Sequence, residues 1–163
     1  MPAFVSKNIY KVVAKFAPVV SNDILLRHGG KYLLLKRTGV PCKGLWWTPG
    51  RRLRKNERIT DAVHNVMKEE VGIKKIKIKK FLGVFEVFAK PGKFGQKDIH
   101  YVSFSFLAEP VGKFKVKMDF QHSEYDFFKK APKDSHPFVK KIFSLAKNKD
   151  FRVALPILCR VSG

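Results

Sequence analysis

Cysteine is scarce in this chain. Cys42 and Cys159 are its two thiols in 163 residues, which supply neither a disulfide framework nor a zinc cluster, so a reducing compartment is the expected setting. Long apolar runs are missing as well. No stretch approaches the roughly 18 residues of a membrane span, and Lys7, Lys11 and Lys15 interrupt the N-terminal segment where a signal peptide would carry its apolar region. A soluble cytoplasmic protein with no membrane partner is expected. Acidic residues are few, 13 against 34 Lys and Arg, for a net charge of +21. Such a balance attracts polyanions such as nucleic acid, nucleotides or acidic lipid heads. It also describes a merely solvated, lysine-rich surface, and the lysines run from end to end, so both readings stand.

What is present is an ordinary apolar content, 15 Phe, and a length suited to one domain spanning residues 1–163 with one sizeable core. Residues 5–16 carry Val5, Ile9, Val12, Val13 and Phe16 at helical spacing, which predicts an amphipathic helix ended by Pro18. Val19–Arg27 and Lys31–Arg37 are apolar runs joined by His28-Gly29-Gly30, a β-hairpin pattern. Leu45–Thr48 is a short strand leading into Pro49-Gly50, followed by a basic loop and then a helix over Asp61–Val71 that stops at Gly72. Residues 73–80 alternate apolar residues with Lys74, Lys75, Lys77, Lys79 and Lys80, and Phe81–Ala89 continues as a buried strand. This lysine run reads as an RNA-facing ribbon or as the wet face of an edge strand; the second is the commoner use. Strands are further expected at Ile99–Glu109, Lys113–Lys117 and Gln121–Phe128, and then a helix over residues 135–147, capped by Ser135 with Pro137 in its first turn, followed by an apolar tail. The pattern predicts an α/β chain with a mixed sheet and helices on both faces.

One of the few acids sits in an apolar setting. On a helical wheel Ala62, Val63, Val66, Met67 and Val71 share a face, with Glu70 near its middle and Glu69 at its edge. An inward carboxylate is costly unless it is paired or binds a metal. Either a Lys or Arg pairs with Glu70, or Glu70 and Glu69 hold a divalent cation beside the Pro49-Gly50 turn. Asp23, in an apolar run, is a paired core acid or a site group. Arg37 follows a strand, Arg52 follows the turn, and Gln121-His122 precede a strand. Trp46, Trp47, Phe85 and Phe88 fill the core or stack on a base.

Residues 51–73 resemble the Nudix box, G-x5-E-x7-R-E-U-x-E-E-x-G-U, with Glu57, Met67, Glu69, Glu70, Gly72 and Ile73 in register. Arg51, Asn65 and Val66 depart from the box Gly, Arg and first helix Glu. Across residues 8–145 the chain is similar to the GDP-mannose mannosyl hydrolases within that family. The segments that carry this are SNDILL (21–26), YLLLKRTGVP (32–41), GLWWTPGRRLRKNE (44–57), EEVGI (69–73), HYV (100–102) and QH (121–122). The resemblance implies a Nudix-type α/β/α sandwich with a mixed β-sheet, and glycosyl C–O cleavage of a nucleotide sugar with one magnesium ion, manganese being the alternative. It implies metal binding by the Gly50 carbonyl, Glu70 and Gln121, with Glu69 assisting. It also implies His122 as general base, Arg37 and Arg52 on the diphosphate, Asp23 as a site residue and Tyr101 at the substrate. A homodimer fits the subgroup. The missing Glu at Val66 argues for one metal rather than several. Two rivals remain: a pyrophosphohydrolase that cleaves P–O using Glu57, Glu69 and Glu70, and a catalytically weak nucleotide- or RNA-binding domain.

Overall fold

A computed structural model describes residues 6–92 and 94–148, and the backbone of 157–160. The elements in order are α1 (Lys7–Phe16), β1 (Val19–His28), β2 (Lys31–Arg37), β3 (Trp46–Trp47), β4 (Gly50–Arg52), α2 (Ile59–Val71), β5 (Ile76–Ala89), β6 (Ile99–Pro110), β7 (His122–Phe128), α3 (Pro137–Lys147) and β8 (Ile157–Arg160). The sheet runs β3-β2-β1-β6-β5-β8, with β4 also on β1 and β7 also on β2. It is mixed: β1 is parallel to β6 and antiparallel to β2 and β4.

Alternation along the strands sorts the core into two layers. Leu25, Tyr32, Leu34, Leu82, Phe85 and Leu107 meet Phe138, Ile142 and Phe143 of α3. Ile24, Leu26, Leu33, Leu35, Phe106 and Ala108 meet Val63, Val66, Met67 and Val71 of α2. Strands covered on both faces read as continuous apolar runs, which is why β1 and β2 stand out in the sequence. The expected α/β/α sandwich is therefore observed. Trp47 and Phe85 belong to the core, Trp46 packs on Phe128, and the exposed Phe88 stacks on His100 at 4.3 Å.

Several expected details differ. Residues 113–117 form no strand; instead Lys117 N–H donates to the Val71 carbonyl at 2.8 Å and Asp119 N–H to that of Glu70 at 3.1 Å, so this segment satisfies the end of α2 rather than joining the sheet. The α3 cap is His136, whose side chain accepts from the Phe138 N–H at 3.1 Å, and Ser135 lies one residue outside. The two expected pieces over residues 73–89 are one strand, β5, whose lysine-bearing half lies beyond its pairing with β8. Among the described residues Tyr10 and Ala14 of α1 pack on the body, while Ile9, Val12, Val13 and Phe16 are exposed. Of the apolar tail, the backbone of Ile157–Arg160 pairs in parallel with β5, and the rest lies outside the described residues. Among the described residues no helix is long and apolar enough to cross a membrane.

Gly72 ends α2 with φ of 75°, and a Cβ there would lie 3.0 Å from the Lys117 side chain. Left-handed backbone at a residue bearing a Cβ costs on the order of 1–3 kcal/mol. Gly72→Ala is expected to lower stability by about that amount in urea unfolding. An unchanged midpoint would show that the helix end relaxes freely.

Candidate functional site

The site begins where β4 leaves the Pro49-Gly50 turn and lies against β1. Gly50 registers with Asp23. A Cβ at Gly50 would sit 2.5 Å from the Asn22 carbonyl oxygen and 2.8 Å from Asp23 Oδ1, so no other residue fits. The Gly50 N–H donates to Glu70 Oε2 at 2.9 Å. Glu70 is 4% exposed. Burial pushes its carboxyl up to about 8, against the Gly50 hydrogen bond, and the nearby Asp119 charge adds to the rise. Among the described residues no Lys or Arg forms an ion pair with it, so the bland reading of Glu70 as half of a core salt bridge is not what is observed.

Asp23 is buried beside this pair. It accepts from Trp47 Nε1 at 3.0 Å, from Thr48 Oγ1 at 2.9 Å and from the Ser103 hydroxyl. Burial still holds its carboxyl above the usual range, the three donors notwithstanding. Asp23 and Glu70 thus form an acidic interior in which the charged forms are costly.

Glu57 and Glu69 stand apart from that interior. Arg51 forks onto Glu57 at 2.7 and 2.9 Å, Asn65 Nδ2 adds a bond at 2.9 Å and the Arg54 N–H another at 3.0 Å. The Arg51 bond, ahead of the other donors, holds the Glu57 carboxyl down at about 2. Glu69 is gripped by Arg54 at 2.7 and 2.8 Å, with Arg51 Nε 3.3 Å away. Arg51, the departure from the box Gly, therefore has a partner. It delivers to Glu57 a guanidinium that the box would place at Asn65.

Asp119 is the residue the sequence reading missed. Its Oδ1 accepts from His122 Nδ1 at 2.7 Å and from the Gln121 N–H at 3.0 Å, and its Oδ2 accepts from Gln121 Nε2 at 2.8 Å. Burial works to raise its carboxyl, but the His122 and Gln121 bonds prevail and hold it below the usual range. Asp119 lies in a segment without hydrophobic periodicity, and its only sequence signal is an acid two residues before Gln121-His122. Arg37 registers with His122 across β2 and β7, and its Nε donates to the Pro41 carbonyl at 2.8 Å. Its charge is felt at Asp23, Glu70 and Tyr101. Tyr101 bonds Tyr10 of α1; burial raises both phenols, and the Arg52 charge reaches Tyr10. Arg52 lines a cavity of about 230 Å³ with Tyr10 and Val13. Tyr10 has no clear sequence signal, because it lies off α1's apolar stripe.

The structure thus brings Gly50, Glu70 and Asp23 together, with Gln121 and His122 joined to them through Asp119 and with Arg37 over the group. Arg52 and Tyr101 lie toward α1, and Glu69 faces outward onto its arginines. Among the described residues no three His, Cys, Asp or Glu side chains form a metal cage. A hard cation here would need mixed oxygen donors, and a buried carboxylate without a cationic partner beside a Gly-only turn suits one.

A Nudix-domain family model matches residues 17–142. The chain belongs to the Nudix hydrolase family. It is 33% identical to the low-salt glycan biosynthesis protein Agl8 of Haloferax volcanii over 81% of this chain and 84% of that protein. It is 30% identical to an ADP-ribose pyrophosphatase of Methanocaldococcus jannaschii over 71% of this chain and 66% of that one. The MutT Nudix hydrolase structure from Burkholderia pseudomallei superposes with a TM-score of 0.63 at 22% identity, covering 80% and 98% of the two chains. Nudix hydrolases as a family use magnesium or manganese.

Two outcomes follow. Removing one member of a buried ion pair costs about 3 kcal/mol or more, so Arg51→Ala should destabilise by that order, and adding Asn65→Arg should restore most of it. A folded carboxyl lowered to about 2 stabilises above its usual 4.5 and loses that contribution as pH falls through about 2. The Arg51→Ala deficit should therefore shrink in acid urea titrations; a pH-independent deficit would refute the pairing. Glu70 has the opposite sign. Its carboxyl is raised from 4.5 to about 8, so the metal-free protein should be stabilised by it below about 4.5 and lose this as pH rises through about 8. Glu70→Gln should flatten that slope in thermal melts. Magnesium should stabilise the parent increasingly toward pH 8 and leave the variant unmoved.

Proposed function

We propose that this Nudix hydrolase cleaves a nucleotide sugar, most like GDP-mannose, at the glycosyl C–O bond, releasing nucleoside diphosphate and sugar with one magnesium ion. The observation that carries the reading is the division of the helix carboxylates. Val66, at the position of the box's first helix Glu, is fully buried in the core. Glu57 and Glu69 are occupied by Arg51, Arg54 and Asn65. Glu70 alone faces the turn, so the three-carboxylate set of a P–O-cleaving pyrophosphohydrolase is reduced to one. The likeness to a glycan biosynthesis protein agrees with a sugar-bearing substrate.

Glu70, the Gly50 carbonyl and Gln121 would hold the ion, which when bound supplies charge neutralisation to the leaving diphosphate. The rest is done by side chains. Asp119 is an acceptor, so His122 donates to it through Nδ1, and this tautomer leaves Nε2 as the basic nitrogen. His122 Nε2 takes the proton of the water that attacks the anomeric carbon. The bond from that carbon to the diphosphate oxygen breaks, and its electron pair leaves on the diphosphate. Arg37 and Arg52 neutralise the developing charge with forked donors. Asp23 holds the Trp47–Thr48 segment against the turn through its two bonds. Tyr101, braced by Tyr10, borders the substrate on the α1 side. Glu69 acts indirectly, through Arg51 and Arg54.

Turnover of a nucleotide-sugar panel with magnesium in oxygen-18 water tests the reading. The label is expected in the sugar. Label in a phosphate would transfer the assignment to P–O cleavage, and absence of turnover would leave a binding domain. His122→Gln should lower kcat by roughly 10²–10⁴-fold. Activity that survives both His122→Gln and Glu70→Gln would remove the site assignment.

A further inference from the structure

The lysines of β5 have company that edge protection does not explain. A cleft of about 510 Å³ opens between the start of β5 and the segment after β6. Lys74 and Lys75 line one wall, Lys113 and Lys115 the other, and Ile73 and Phe114 also face it. All four lysines are exposed. No carboxylate is among the lining residues. Glu109 lies close in sequence to one wall, but Arg27 holds it at 2.6 Å, with Lys79 3.5 Å away.

The walls are fixed. The Val111 N–H donates to the Lys75 carbonyl at 2.9 Å and the Lys117 N–H to that of Val71 at 2.8 Å. The His28 ring packs edge-on against Phe114 at 4.9 Å. Lysines on a solvent-facing sheet edge discourage strand addition, which accounts for Lys77 and Lys79. Lys113 and Lys115 stand on a segment that forms no strand, and they face Lys74 and Lys75 across a concavity. Four like charges held around one cleft repel unless an anion lies between them.

We propose that this cleft binds single-stranded nucleic acid, distinct from the nucleotide-sugar site. Beyond the cleft the exposed Lys77 extends the positive surface, with Lys79 shared with Glu109, and lysines spread along a line suit a chain of phosphates better than one anion. Phe114, partly buried against the α2-side core and edge-on to His28, borders the same basic groove, and a groove of this charge is what tracks the backbone of a single strand. A membrane surface would need a protruding contact, and this one is recessed.

The test is fluorescence anisotropy of a dye-labelled single-stranded RNA of about a dozen nucleotides with the full chain, over a series of salt concentrations. Each lysine–phosphate contact on a single strand contributes about 0.7 to the slope of log K against log salt. Replacing Lys74, Lys75, Lys113 and Lys115 by Gln should weaken binding at least tenfold and lower that slope by about 3. The same replacement at the exposed Lys129, Lys130, Lys140 and Lys141 changes net charge equally and should leave most of the affinity. Nucleotide-sugar turnover should persist in the cleft variant. Equal losses in both variants would mean diffuse attraction and overturn the proposal. So would absence of RNA binding, or a cleft that binds phosphatidylglycerol vesicles and not RNA.

Discussion

The hydrogen bond from the Gly50 N–H to Glu70 ties together three parts of the chain that are distant in sequence. Gly50 can approach only because it lacks a Cβ, since Asn22 and Asp23 of β1 occupy that space. Glu70 can be buried only because the turn offers it a donor. One neutral hydrogen bond does not offset the desolvation of a carboxylate. Its carboxyl is accordingly held near 8, and the pocket is left favouring a proton or a cation. The local instability is tolerated because the two core layers fix α2 against β1 independently of it.

Around that contact the acids are divided by their partners. Those facing inward, Asp23, Glu70 and Asp119, meet hydroxyls, an indole, backbone N–H groups, an amide and a histidine. Two others, Glu57 with its buried side chain and the exposed Glu69, meet arginines instead. Arg51 belongs to the second set. It leaves the Gly50 turn intact because its side chain runs away from Glu70 to Glu57, where Asn65 is too short to replace a guanidinium by itself. A change of box Gly to Arg is then matched by a change of box Arg to Asn across the same carboxylate.

The parts of the fold that rest on period were legible in the sequence: the β1–β2 hairpin, the inward position of Glu70 on α2, the apolar face of α3 and the two-sided sheet. Each is a local pattern whose meaning survives tertiary packing. The box residues were legible through the resemblance of residues 51–73 to the Nudix box. Asp119 was not, because residues 118–121 have no period and the segment is ordered by hydrogen bonds from Lys117 and Asp119 to the carbonyls of Val71 and Glu70, partners about fifty residues earlier. Just before it, alternating lysine and apolar residues over 113–117 imitate a strand that the structure does not form. The exposure of α1's apolar stripe was illegible for the complementary reason. Period identifies a face and says nothing of whether anything covers it, and here the face that packs is the one bearing Tyr10 and Ala14.

Charge distribution connects the composition to the chemistry. The chain has 13 acidic residues, and five of them, Asp23, Glu57, Glu69, Glu70 and Asp119, gather in or beside the site. Arg37, Arg51, Arg52 and Arg54 stand with them, so the net positive charge of the chain lies outside the site. Such a molecule draws polyanions toward it at long range, where net charge acts; under the proposed function the buried carboxylates would select a cation at short range. Arg37 and Arg52 mark the border between the two regimes. Arg37 is set beside Asp23 and Glu70, and Arg52 is carried on β4 two residues beyond Gly50. Two arginines next to an acidic pocket recognise a diphosphate best when a cation already neutralises that pocket, because the acids would otherwise repel the incoming charge.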